Sequence, residues 1–170
     1  LASLRNLEVL DFSMNAFALT LPPQMGEMAS LKVVDLSMNR LTGGLPTSFN
    51  ALTKLERLSL GSNKLSDRVS LGRQLSSLTV LNLEQNRFTS IDSSIGQLKA
   101  LETLTVYENG LTGPFPSGIG SLVSLRRLSM HSNQLSGPIP SVVGQLSRLT
   151  DLNLSFNDFS GPIPTEIGRL

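Results

Sequence analysis

The sequence predicts a β-dominated solenoid of the α/β type: a right-handed superhelix of seven coils, with a parallel β-sheet on its concave side and short 3-10 or loop segments on its convex side. Three observations predict it. Asn15, Asn39, Asn63, Asn86, Asn109, Asn133 and Asn157 follow one another at intervals of 24, 24, 23, 23, 24 and 24 residues. An apolar residue stands 3, 5, 8 and 11 positions before each of them, as in Leu52, Leu55, Leu58 and Leu60 before Asn63. Two positions after each comes Phe17, Leu41, Leu65, Phe88, Leu111, Leu135 or Phe159. A period of this length, held throughout a chain, marks a stack of supersecondary units.

Each part of the coil follows from the spacing. Apolar residues at Asn−5 and Asn−3 alternate with polar ones, which predicts a short strand with one buried face. The wider apolar spacing upstream, together with Gly and Pro, returns the chain to its starting side. One coil covers neither of its own flanks, so the coils must stack, and stacking joins their strands into a parallel sheet that satisfies the backbone. The seven asparagines are read as inward-pointing scaffold residues, whose amides bond loop backbone beyond the reach of a sheet. Gly43, Gly113, Gly137 and Gly161, four positions after their Asn, are assigned to a tight turn. The Leu/Phe/Ile-Pro pairs that follow suit an edge segment able to do without an N–H.

The frame LxxLxxLxLxxNxLxGxIPxxIGxL resembles the plant-type leucine-rich repeat over essentially the whole chain. It is clearest from Leu122 through Asn133, Leu135 and Ser136-Gly137-Pro138-Ile139-Pro140 to Gly144 and Leu146. That family contains receptor kinase and receptor-like protein ectodomains and, similarly, polygalacturonase-inhibiting proteins. Residues 1–170 are expected to form a single leucine-rich repeat domain of seven repeats. Leu1 enters in the register of Met25 or Ile119, Leu170 stops where an eighth repeat would begin, and the family's cysteine-bearing terminal caps are absent, so a fragment of a longer protein is expected. Repeats three and four are each one residue short and lose both Gly and Ile-Pro, with Asp67 and Val69-Ser70 in one and Ser90 and Ile91-Asp92 in the other. Leu19 stands where repeat one should have Gly. The non-concave side is therefore expected to be irregular around residues 65–96, without a smooth second sheet there.

Composition narrows the function. The chain has 170 residues, 39% of them hydrophobic and 16% charged, enough to build a core. Fourteen Lys and Arg against thirteen Asp and Glu leave a net charge of +1, a poor match for nucleic acid or an anionic membrane. No apolar stretch reaches the ~20 residues a bilayer requires. There is no Cys, which excludes disulfides and thiolate metal sites.

Side chains at Asn−7, −6, −4, −2 and −1 are expected to face solvent on the concave side and to form a grid. It contains eight acids (Glu8, Asp11, Asp35, Glu56, Glu84, Glu102, Glu108, Asp151) and four bases (Lys32, Arg57, Arg126, Arg127), a net −4 against +5 for the rest of the chain. Seven strands about 4.8 Å apart span about 29 Å, enough for an extended peptide or a protein surface. Candidate ligand contacts are Arg57, Glu84, Tyr107, Glu108, Arg127, His131 and Phe156, the large side chains among mostly short polar ones. Tyr and Arg are favoured in interface hot spots, and Tyr107 is the only tyrosine.

Catalysis and metal binding find no support, since His131 is the only His and no nucleophile or orienting acid is set around it by spacing. Tyr107 and His131 are expected to be neighbours on adjacent strands, a possible pH-sensitive contact. The polar column at Asn−4 (Asp11, Asp35, Ser59, Asn82, Thr105, Ser129, Asn153) raises ice binding, against which its acids and the curvature argue. Asn153-Leu154-Ser155 is an N-glycosylation sequon. No cofactor is expected. The resemblance implies a peptide or protein ligand, or a co-receptor, bound on the concave face of an extracellular receptor segment. The alternative is a soluble inhibitor of a secreted cell-wall-degrading enzyme.

Overall fold

The computed structural model describes residues 4–170; the register of Leu1 lies outside them. A seven-stranded parallel sheet takes one strand from each coil: Val9–Asp11, Val33–Asp35, Arg57–Ser59, Val80–Asn82, Thr103–Thr105, Arg127–Ser129 and Asp151–Asn153. These are the positions Asn−6 to Asn−4, and the register never slips. Leu10, Val34, Leu58, Leu81, Leu104, Leu128 and Leu152 lie side by side, all on the inner face. Their burial is complete from Val34 to Leu128. The core continues through the Asn−3, −8 and −11 leucines and the Asn+2 residues into one cluster running the length of the stack.

The asparagines stitch the coils together. Asn86 Nδ2 lies within 3.2 Å of the carbonyls of Leu83 and Glu84 in its own coil and of Leu60 in the coil before, and its Oδ1 accepts the amide of Leu65 at 2.9 Å. The same four contacts recur at Asn39, Asn63, Asn109, Asn133 and Asn157. The side chain of Asn15, in the first coil, bonds only within its own loop. The turn requires the preceding residue to be left-handed, and Met14, Met38, Ser62, Gln85, Glu108, Ser132 and Phe156 all have φ between 50° and 55°.

On the convex side five-residue 3-10 helices occupy Pro23–Glu27, Thr47–Ala51, Ser93–Gln97, Ser117–Ser121, Ser141–Gln145 and Thr165–Arg169. Prolines with extended ψ precede five of them, and Asp92, whose carboxylate accepts the Ser94 amide at 2.9 Å, precedes the sixth. No such helix forms in coil three, so its missing residue has been taken from the convex side.

A second set of strands flanks the first, and here the expectation holds only in part. Ala18–Thr20, Arg40–Gly43, Lys64–Val69 and Arg87–Ile91 form one four-stranded parallel sheet that runs through residues 65–91. The irregularity is confined to a bulge between Asp67 and Arg68. The sheet stops one coil later, before the three-stranded sheet of Thr112–Gly113, Gln134–Gly137 and Asp158–Phe159. Coil four has no left-handed residue at Asn+4, where Ser90 stands, and runs extended to Ile91, whereas coil five turns at Gly113 (φ 79°) into Pro114, which has no amide to donate. At this break Gly110 N still donates to Phe88 O at 3.0 Å.

Candidate functional site

Because the concave strands share one register, the outward side chains form straight rows. In the Asn−6 row Arg57, Val80, Thr103, Arg127 and Asp151 are consecutive neighbours, and in the Asn−4 row Ser59, Asn82, Thr105, Ser129 and Asn153 are. They frame an open groove of about 550 Å³ across coils three to seven, with Glu84 and Tyr107 on its other side. Small side chains between large ones make the hollow: Val80 and Thr103 leave room between Arg57 and Arg127.

Its polar groups are held in place. Thr105 Oγ1 donates to Glu84 Oε2 at 2.6 Å, with Asn82 Oδ1 3.0 Å away. Gly61 leaves space for the Glu84 carboxylate; a Cβ there would lie 2.5 Å from Glu84 Oε1. Arg127 Nε meets Asp151 Oδ2 at 3.1 Å, on a strand edge where both side chains are more than half exposed. Such a pair contributes little to stability, but it orients the guanidinium. The Tyr107 and His131 rings stack with centroids 4.4 Å apart and planes 11° off parallel, and His131 Nδ1 lies 3.0 Å from Ser129 Oγ. Burial pushes the Tyr107 phenol above its ordinary pKa, and the negative charges of Glu84 and Glu108 push it further, so at neutral pH it is a neutral donor.

Of the seven candidate contacts, Arg57, Glu84, Tyr107 and Arg127 line the groove, and His131 joins them through its stack with Tyr107. Glu108 and Phe156 do not; both occupy the left-handed Asn−1 position at the rim, where Glu108 accepts from Gln85 Nε2 at 3.0 Å and Phe156 is 81% exposed. Sequence reading placed that column on the face because residue types as different as Met, Gln and Phe give no hint of a left-handed turn. Val80 and Thr103 belong to the solvent-facing Asn−6 row without being among the candidate contacts, and their shared smallness is the sign of a groove floor. Asn153 lines the far end, and its Oδ1 accepts both the amide and the hydroxyl of Ser155, at 3.1 and 2.7 Å. Among the described residues no trio of His, Cys, Asp or Glu is gathered to hold a metal ion, and no helix is long and apolar enough to cross a membrane.

The Asn stitching, the parallel concave sheet and the 3-10 returns define a repeat solenoid of the leucine-rich class. The chain belongs to the leucine-rich repeat family, which matches residues 29–88, 76–135 and 148–170. No curated protein sequence matches it. Among solved structures it is similar to the plant peptide hormone receptor RGFR1 in complex with RGF2, with 33% identity and a TM-score of 0.92 over 99% of this chain and 27% of that one. It is similar to a TDR receptor at 36% identity and a TM-score of 0.94, covering 99% of this chain and 30% of that one. A plant ice-binding protein shares the fold at 26% identity and a TM-score of 0.64, covering 96% of this chain and 69% of that one. The chain thus spans under a third of the length of the two receptors.

Proposed function

We propose that this chain is the ligand-recognising leucine-rich repeat segment of a plant-type receptor kinase or receptor-like protein ectodomain, acting at the cell surface by binding and not by catalysis. The groove carries this reading: it is open, reaches across coils three to seven and is lined by Arg57, Glu84, Tyr107 and Arg127, the geometry of a site for an extended chain and not for an enclosed substrate. His131 supports the Tyr107 ring, while Glu108 and Phe156 stand on the rim, available to a larger ligand or a co-receptor. The likeness to a peptide hormone receptor in complex with RGF2 supports a peptide or protein partner. Ice binding is disfavoured, because the Asn−4 row mixes Asp11 and Asp35 with Ser, Thr and Asn and so offers no regular ladder.

The test is affinity capture from plant extracellular wash, comparing the wild type with a Tyr107→Ala/Arg127→Ala variant whose circular dichroism is unchanged. A partner retained by the wild type and lost by the variant supports the reading. Equal capture by both overturns the assignment of the concave groove. A captured cell-wall-degrading enzyme in place of a peptide or receptor would favour an inhibitor.

A further inference from the structure

We propose that the groove selects an extended peptide with two acidic side chains four residues apart, one carboxylate on Arg57 and the other on Arg127; this deepens the concave-face reading and rests on it. The two arginines occupy the same row, three strand steps apart through Val80 and Thr103. Three steps are about 14 Å, and four residues of extended chain cover about 13.5 Å. The match has the correct parity as well, because side chains at i and i+4 of an extended peptide point the same way, whereas those at i and i+3 point apart.

Both cations are available. Among the described residues Arg57 makes no ion pair, and Arg127 uses Nε for Asp151, leaving its terminal N–H groups for a second carboxylate. Two groups of nearby charges are already engaged: Arg126 lies 3.9 Å from Glu102, and Glu84 accepts a hydrogen bond from Thr105. The intervening side chain of the peptide, at i+2, faces the low floor of Val80 and Thr103 and should be small or apolar. The face as a whole is net acidic by four charges, so recognition comes from placement and not from bulk attraction. Acids beyond the two that meet arginines weaken binding.

The test uses the full chain and synthetic nine-residue peptides blocked at both ends, with binding read by calorimetry. Peptides carry Glu at i and i+4, Glu at i and i+3, Gln at i and i+4, or Glu at five positions. The i, i+4 peptide should bind about tenfold tighter than each of the others, and Arg57→Gln or Arg127→Gln should each remove about tenfold. A peptide with Lys in place of one Glu should regain affinity on Arg57→Glu. Affinity indifferent to spacing, or Arg→Gln variants within about twofold of wild type, overturns the proposal. Val80→Trp separates the two levels. Peptide binding blocked by Val80→Trp but indifferent to both arginines refutes only the carboxylate pairing, whereas binding that survives Val80→Trp refutes the concave groove itself. No binding by any peptide also overturns the carboxylate pairing, while capture of a partner by the intact groove still stands for the broader reading.

Discussion

The side-chain oxygen of Asn63 accepts the amide of Leu41, twenty-two positions earlier in the chain, at 3.0 Å. That bond crosses from one coil to the one before it, and its partner from Asn63 Nδ2 to Leu36 O crosses the same boundary at 3.0 Å. The repeated geometry of the stack is therefore carried by side chains as well as by the sheet.

Removing a central amide should cost far more than removing the first. In Asn109→Ala the Phe88 amide and the carbonyls of Leu83, Val106 and Tyr107 lose a partner, a loss of about 2–3 kcal/mol. Asn15 is exposed and its side chain bonds only to Phe12 and Ser13, so Asn15→Ala should cost under about 1 kcal/mol. Urea unfolding of the two variants checks the difference; equal losses would show that the ladder is not what binds coil to coil.

Leu19 is left-handed at φ 72° where four other coils have Gly, and its side chain is 78% exposed. Leu19→Gly gives up no packing and relieves the backbone, so it should stabilise by up to about 1 kcal/mol. Gly113→Ala, at φ 79° with nothing within 4 Å of the new Cβ, should destabilise by about 1 kcal/mol. Thermal midpoints moving in opposite directions are the expected result.

The convex helices touch backbone to backbone. A Cβ on Gly96 would meet the Gly118 carbonyl oxygen, while one on Gly168 would meet nothing within 4 Å. Gly96→Ala should therefore cost about 2–3 kcal/mol and Gly168→Ala less than about 0.5 kcal/mol, as denaturant midpoints would reveal.

The hydrogen bond from the Ser94 amide is the main influence holding the Asp92 carboxyl below its ordinary pKa, helped by the Ser94 hydroxyl and by Arg68. A pKa lowered by folding means that the charged form is favoured in the native state, so its stabilisation is present above about pH 4. That stabilisation is lost as pH falls through the folded pKa. Asp92→Asn should consequently be less stable than wild type at pH 6, with the gap closing toward pH 3. A gap independent of pH would contradict a charge-dependent cap.

Fold and site differed in how much of them could be read from the residue string. The strand positions, the inward asparagines and the turn glycines all follow from spacing, because each coil repeats the same physical problem and leaves the same residues in answer. The neighbouring of Tyr107 and His131 followed too, since register converts sequence offset into adjacency. The left-handed state of Glu108 and Phe156 did not, because it is imposed by the Asn turn after them and not by their own side chains. The place where the second sheet breaks was also hidden. Two single-residue deletions look alike in the sequence, yet one removes a 3-10 helix in coil three and the other a left-handed turn in coil four.

Those two deletions leave no trace on the concave side, where Arg57, Val80 and Thr103 stay in line across both short coils. Length variation is discharged on the outer wall, while the inner wall keeps a fixed pitch of about 4.8 Å. Contact residues on such a surface can be exchanged one at a time without moving their neighbours. A scaffold of this kind can change what it recognises through substitution alone, and can gain or lose loop residues without changing what it recognises at all.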